Sequence, residues 1–230
     1  MSTSTRRALL LAIALIAGLL APFAGVSPAS AATSCTVTTT LTATATQGYY
    51  GQELPANFAI NATCTDGASG TPDAGTLSIQ RLRPGSSTWE TAATLDLSTS
   101  YSFASWPTLD GTAQFKLAYS GGTDGSGYTF PASESAAIGV TTLRDVGISS
   151  KKVKSGKPIP VTWSATPAAT GFVYLKKKGK KKWKLAKRVA VSTSGTTFKL
   201  RAKVGTKVRF YIPGNASIAA FDWTTKVKRR

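Results

Sequence analysis

Residues 115–121 of this chain read FKLAYSG, and residues 208–214 read VRFYIPG. In each stretch the first, third and fifth side chains are apolar, and the seventh residue is glycine. Because alternate residues of a β-strand point to opposite faces of a sheet, this period places the three apolar side chains on one face. Each stretch is therefore predicted to be a strand with one buried face, followed by a turn.

The same alternation recurs along most of the chain. Further strands are predicted at residues 58–64, 77–79, 101–103, 159–163, 173–175 and 198–200. Turn-forming pairs such as Asp66-Gly67, Pro84-Gly85 and Lys178-Gly179 separate them. No stretch after residue 32 has the period of a helix, and about seven short strands in roughly 100 residues are typical of a β-sandwich. The sequence thus predicts an all-β protein built of sandwiches.

One pattern occurs twice in the chain. Residues 75–79 (GTLSI) align with residues 171–175 (GFVYL), and Trp89 then aligns with Trp183, each after a turn that contains glycine. The two stretches quoted first continue this alignment with nearly the same offset. Self-similarity at a spacing of about 95 residues indicates two divergent copies of one structural unit.

Charge divides the chain between the two copies. Residues 33–143 contain three basic and eight acidic side chains, a net charge of −5. Residues 145–230 contain 22 basic and two acidic side chains, a net charge of +20, and Arg144 lies between the two segments. A single domain rarely separates its charges along the sequence in this way. We therefore predict two tandem domains, an acidic one at residues 33–143 and a basic one at residues 144–230.

The first 32 residues are predicted to be a cleaved secretory signal peptide. Arg6 and Arg7 precede an apolar run at residues 8–20, and the small residues 29–32 (ASAA) fit the site that a signal peptidase cleaves. The apolar run has 13 residues, fewer than a membrane-spanning helix needs. An uncleaved anchor is the alternative, and the choice between Sec and Tat export stays open. We expect the mature chain to be extracellular, either free or associated with the cell envelope.

Cys35 and Cys64 are predicted to form a disulfide bond. Export to an oxidising compartment favours the pairing of two cysteines. Cys64 ends one predicted strand and Cys35 begins another, so antiparallel pairing of the two strands brings both cysteines to the same end. The bond would close a loop of 30 residues. Two unpaired buried thiols are the alternative.

The motifs of the first copy resemble a known family. They are residues 77–81 (LSIQR), 84–89 (PGSSTW), 101–103 (YSF) and 115–121 (FKLAYSG), and the second copy matches them more loosely at 173–183 and 207–214. Together they look like the bacterial Ig-like repeats of secreted and surface proteins, of the actinobacterial type. The resemblance implies two tandem Ig-like β-sandwich domains used for spacing, adhesion or wall association outside the cell. It carries over no enzymatic residues.

Composition excludes several kinds of active site. The chain has no histidine, which excludes Ser-His-Asp and Cys-His catalysis, and its two cysteines cannot complete a tetrahedral zinc site. Ser149 and Lys152 have the spacing of a Ser-Lys nucleophile, but that pair needs a helix, and this segment is predicted to be strand and linker. Asp66, Asp73 and Asp124 lie in glycine-rich loops and are interpreted as turn residues rather than calcium ligands. We therefore predict no enzymatic activity, no catalytic residue, no metal site and no cofactor.

The segment 176–184 reads KKKGKKKWK and is the strongest candidate for a binding site. Seven lysines surround its predicted hairpin turn: Lys176, Lys177, Lys178, Lys180, Lys181, Lys182 and Lys184. A lysine or two is enough to keep an exposed strand edge from pairing, and a net charge of +20 destabilises one domain by self-repulsion. The predicted second domain has 17 lysines and five arginines, which favours a diffuse polyanion over the bidentate recognition that arginine provides.

These observations predict a secreted, non-enzymatic Ig-like protein whose basic second domain associates with a polyanion. The expected partner is an anionic cell-wall polymer, and nucleic acid, anionic lipid and acidic polysaccharide are polyanions that the residues do not distinguish from it. The alternative is a structural or protein-interaction module for adhesion or self-association. In that case the acidic and basic domains of different molecules associate, or the lysines only keep the hairpin soluble.

Overall fold

The computed structural model of the chain describes residues 33–151, 153 and 157–228. Over these residues the chain forms strands, turns and loops and no helix, which confirms the predicted all-β class. The part of the chain that is described therefore contains no helix long and apolar enough to cross a membrane. The predicted signal peptide lies outside the described residues.

The first half of the described chain forms two sheets. Its strands are β1 (Thr33–Ala43), β2 (Gln47–Tyr49), β3 (Ala56–Cys64), β4 (Ser69–Gly70), β5 (Thr76–Leu82), β6 (Glu90–Asp96), β7 (Ala113–Tyr119), β8 (Gly122–Thr123), β9 (Tyr128–Phe130), β10 (Ser133–Glu134) and β11 (Ile138–Leu143). One sheet has the order β4-β3-β1-β9-β8 and the other β2-β11-β7-β5-β6, with β10 pairing β7. The inner faces of both sheets contribute to one apolar cluster, with Ile60 from the first sheet and Leu77 and Leu117 from the second. This half is a β-sandwich.

The second half forms a smaller pair of sheets. Its strands are β12 (Asp145–Ser150), β13 (Ile159–Thr166), β14 (Ala169–Lys176), β15 (Lys184–Val191), β16 (Thr196–Leu200), β17 (Lys207–Ile212) and β18 (Phe221–Lys226). The three-stranded sheet has the order β12-β13-β16 and the four-stranded sheet β15-β14-β17-β18. Seven strands divided between two sheets in this way are typical of an Ig-like sandwich.

The core of the second half is built around Trp163. This side chain is 0% exposed, and its ring meets that of Phe210 edge to face at a centroid distance of 5.3 Å. Gly171 gives the indole its space, because a Cβ atom at this position would lie 2.5 Å and 3.0 Å from two atoms of the Trp163 ring. The inward position predicted for Trp163 from its strand period is confirmed.

The two halves share one strand order. In the first half β6, β5, β7 and β11 are neighbours in that sequence, and in the second half β15, β14, β17 and β18 follow the same sequence. The first hairpin of each set carries a register irregularity, between Ile79 and Gln80 and between Val173 and Tyr174. These are the segments that the sequence repeat aligns.

One predicted strand is absent from the described residues. Residues 101–103 lie in a loop between β6 and β7, and Tyr101 is 62% exposed. The side chain of Asp96 accepts a hydrogen bond from the backbone N–H of Ser98, which turns the chain at the end of β6. Phe103 packs instead against Phe58, at a centroid distance of 5.2 Å. The alternation at residues 101–103 therefore indicated a buried contact, but the interpretation as a strand was wrong.

The halves contact each other beside Arg144. Its guanidinium is buried and donates a hydrogen bond to the carbonyl of Pro167 at 2.8 Å. The backbone N–H of Ala219 donates to the carbonyl of Thr142 at 2.9 Å. Ile218 is 6% exposed and belongs to neither of the two core clusters of the described residues. The buried apolar residues thus form two clusters with a small junction between them, and the domain boundary at Arg144 stays a prediction.

Candidate polyanion-binding surface

The predicted lysine hairpin lies at one end of the four-stranded sheet of the second half. Strand β14 ends at Lys176, and β15 begins at Lys184. Gly179 forms the turn with a φ of 77°, a conformation that side chains with a Cβ atom rarely adopt, and the N–H of Lys180 donates to the carbonyl of Lys177 at 3.1 Å. The sequence places glycine where the hairpin requires it.

The lysines of residues 176–184, hereafter the lysine hairpin, face solvent. Six of the seven are exposed, and Lys176 is half-buried. The ammonium group of Lys176 lies 5.6 Å from the ring centroid of Trp183, which is itself half-buried. This cation–π contact directs one lysine along the sheet, while the others surround the turn.

Lysines on neighbouring strands extend this positive charge across the sheet. Lys176 on β14 is in register with Lys207 on β17, and Lys207 is in register with Lys226 on β18. We call these three residues the lysine row. Like charges directly opposite each other on adjacent strands destabilise a sheet. The lysine row therefore costs stability wherever no anion lies beside it.

Few carboxylates balance this charge. Within the described residues, the second half contains one ion pair, in which Nε of Arg209 donates to Asp222 at 2.8 Å. The hydrogen bond from Arg209 holds the pKa of the Asp222 carboxyl below its usual value. No ion pair involves a residue of the lysine hairpin or the lysine row in the described part of the chain.

The first half treats its basic residues differently. Arg81 and Arg83 both contact Glu90 and Asp110, at distances between 2.8 and 3.3 Å. Lys116 contacts Glu134 at 2.7 Å. Hydrogen bonds from Arg81 and Arg83 lower the pKa of Glu90. All three basic residues of residues 33–143 are thus paired, so unpaired positive charge is a property of the second half.

Three aromatic residues on the outer face of the four-stranded sheet were missed by the sequence reasoning. Phe172 and Tyr174 lie on β14, and Tyr211 lies opposite Phe172 on β17. All three are half-buried and belong to neither core cluster of the described residues. Residues 171–175 are apolar at both parities, and this continuous run was the available signal.

The structure pairs the two cysteines as predicted. Cys35 and Cys64 face each other at the end of the antiparallel β1–β3 ladder, and their sulfur atoms are 2.02 Å apart. The backbone N–H of Thr65 donates to the carbonyl of Ser34 at 3.1 Å, so the chain continues its pairing beyond the bond. The disulfide prediction is confirmed.

The remaining candidate residues lie in strands and turns. Ser149 is exposed on β12, and Lys152 lies outside the described residues. Asp66 accepts a backbone hydrogen bond from Ala68, which lowers the pKa of its carboxyl, and Asp124 accepts one from Ser126. These are the bonds of turn residues. In the described residues, no three His, Cys, Asp or Glu side chains come together as a possible metal site.

No protein-family model and no curated protein matches the chain. Solved structures match at low identity. The FN1–FN3 domains of chicken CNTN1 are 14% identical over 86% of this chain and 67% of that chain, with a TM-score of 0.26. The chicken interferon gamma receptor alpha chain is 10% identical over 84% and 97%, with a TM-score of 0.34. An amphioxus IgVJ-C2 molecule is 8% identical over 80% and 99%, with a TM-score of 0.25. Likeness at this level carries no inference about a ligand or an activity.

Proposed function

We propose that this protein is a secreted, non-enzymatic Ig-like module whose basic second half binds an extracellular polyanion through the lysine hairpin. The observation that carries the proposal is the set of exposed lysines at residues 176–184, next to a lysine row without carboxylate partners among the described residues. A polyanion would remove the repulsion within this surface. Lysine provides point charges on flexible stems, which fits a polymer of repeating negative charge.

The disulfide and the division of charge support the wider proposal. A disulfide bond fits a protein that is exported to an oxidising compartment. The −5 and +20 halves have separate sheets and separate apolar clusters. We therefore keep two domains, at residues 33–143 and 144–230, and a cleaved signal peptide as parts of the proposal, together with membership of the bacterial Ig-like repeats of actinobacterial type.

The proposal is tested by the salt dependence of binding. Duplex DNA is a convenient polyanion for this purpose, because each phosphate that the protein neutralises contributes about −0.9 to the slope of log K against log salt. A hairpin that engages about four phosphates should lose roughly a hundredfold in affinity between 50 and 200 mM salt. Teichoic-type polymer and anionic vesicles are measured in parallel.

A charge-removing variant and a charge-retaining variant separate charge from shape. Replacing Lys177, Lys178, Lys180 and Lys181 by Gln should flatten the slope and leave the thermal stability unchanged or raised. Replacing the same four residues by Arg should preserve both affinity and slope, because the charge is retained. Equal binding by the Gln variant and the parent would contradict the proposal, and so would failure of the parent to bind all three polyanions at low salt.

The alternative function has a different signature. If the acidic and basic halves of separate molecules associate, the chain should self-associate with increasing protein concentration, and salt should abolish the association. Sedimentation velocity at 50 and 300 mM salt measures this directly. Salt-sensitive self-association without polyanion binding would favour a protein-interaction module.

A further inference from the structure

The outer face of the four-stranded sheet combines aromatic rings with positive charge. Phe172, Tyr174 and Tyr211 occupy its middle, and we call these three residues the aromatic face. On β14 the next outward residue after Tyr174 is Lys176, the first residue of the lysine row. At a rise of about 3.3 Å per residue, Phe172 and Lys176 are roughly 13 Å apart along the strand. The rings and the lysines therefore belong to one continuous surface.

Arginine side chains lie over the rings of this face. The guanidinium carbon of Arg188 is 5.9 Å from the ring centroid of Phe172, and that of Arg209 is 5.2 Å from the ring centroid of Tyr211. Arg188 is exposed and, in the described residues, forms no ion pair. Guanidinium planes and aromatic rings are the two kinds of group on which unpaired bases stack.

The spacing of the rings discriminates between forms of nucleic acid. The ring centroids of Phe172 and Tyr174 are 6.5 Å apart, and the ring planes differ by 30°. Stacked bases in a duplex are separated by about 3.4 Å along each strand, so their faces are covered by their neighbours. Two rings at nearly twice that spacing can accept bases from a strand that is extended and unstacked.

We propose that the aromatic face and the lysine row bind single-stranded nucleic acid without sequence preference. Bases stack on Phe172 and Tyr174, and the phosphates lie beside the lysine row. Stacking tolerates any sequence, because every base has a flat face. The inference rests on the proposed function, since it names the polyanion that the second half binds. Duplex DNA can engage the lysine hairpin by charge alone, whereas an unpaired strand gains the rings as well.

The test compares two 12-mer probes that carry the same backbone charge, oligo-dT and an abasic oligodeoxynucleotide. Binding to the full mature chain is followed by fluorescence anisotropy at 50 mM salt. We expect oligo-dT to bind at least tenfold more tightly than the abasic strand, because stacking on an aromatic side chain is worth about 1–3 kcal/mol per base. Equal affinities would overturn the inference, and if both strands bind with a steep salt slope, the proposed function still stands.

Substitution of the rings provides the second arm. Tyr174→Leu removes the ring from an outward strand position while keeping an apolar side chain, and it should weaken oligo-dT binding about tenfold. Binding of the abasic strand should stay within about twofold, and the salt slope should not change. Tyr101→Leu is the matched control, because Tyr101 is 62% exposed in the other half of the chain. Phe172→Leu repeats the test if Tyr174→Leu lowers the unfolding midpoint.

Two further outcomes are decisive. Polygalacturonate is a polyanion of pyranose rings without bases. If it binds more tightly than oligo-dT and loses affinity in the Tyr174→Leu variant, the face recognises acidic polysaccharide and the inference is wrong. If neither oligonucleotide nor polygalacturonate nor duplex DNA binds at 50 mM salt, the inference and the proposed function both fail.

Discussion

Removing the disulfide bond should destabilise the first half by an amount that the loop length sets. The bond joins residues 29 positions apart and so closes a loop of 30 residues. In the chain-entropy model, opening such a loop costs about 3.6 kcal/mol at 25 °C, because the unfolded chain regains conformational freedom. The double substitution Cys35→Ala and Cys64→Ala should therefore lower the free energy of unfolding by about 3–4 kcal/mol.

The effect should be measurable by urea denaturation and by calorimetry. For a chain of this size, a loss of about 3.6 kcal/mol corresponds to a fall of roughly 10 °C in the melting temperature. Trp106 is a suitable probe, since its ring stacks on that of Phe58 in β3 at a centroid distance of 5.8 Å. Its fluorescence should report unfolding of the sandwich that contains the disulfide.

A matched control isolates the cross-link from the surrounding strands. Thr36 and Thr63 are the next pair of the same ladder, and both are exposed. Replacing both by Ala changes the same two strands without opening a loop, and it should cost less than about 1 kcal/mol. If the cysteine variant loses no more stability than this control, the entropic argument is wrong for this protein.

Two other predictions concern single residues of the two cores. Gly171→Ala should cost about 1–3 kcal/mol in urea denaturation, since the new methyl group would overlap the Trp163 ring; Gly139→Ala, which meets no atom within 4 Å, should cost under about 1 kcal/mol. Burial raises the pKa of Tyr119 to about 12, and its hydroxyl donates to the carbonyl of Ala74 at 2.7 Å. The folded state thus favours the neutral phenol, so this contribution is complete below about pH 10 and is lost as the pH rises towards 12. The stability advantage of the parent over Tyr119→Phe, about 1 kcal/mol at pH 7, should accordingly shrink between pH 9 and 12, and a constant difference would contradict the assignment.

Local alternation predicted much of the fold because it depends on the strand alone. The inward position of Trp163 and the exposure of Asn61 follow from the parity of their own strands. The pairing of Cys35 with Cys64 followed from two strands that are close in sequence. The prediction failed at residues 101–103, where the aromatic side chain of Phe103 is buried from a loop.

The candidate site could be predicted only in part, for a related reason. The lysine hairpin is contiguous in sequence, so its charge and its turn were both legible. The strand of residues 171–175 is apolar at both parities, so the sequence did not distinguish the face that packs on the core from the face that holds Phe172 and Tyr174. Only the position of the second sheet decides that question, since it covers one face and leaves the other open.

The sequence by itself determined the all-β class, the cysteine pair, and a basic half with a lysine-rich turn. Each of these depends on composition or on residues near one another in the chain. Tertiary structure alone decided that Lys176, Lys207 and Lys226 form a row, and that Tyr211 lies opposite Phe172. Strands β14, β17 and β18 are separated by long stretches of chain, and the period of a strand specifies which side chains share a face but not which strand lies beside it. Burial of the inner faces selects that neighbour and its register, and the surface proposed to bind an anionic strand arises from that selection.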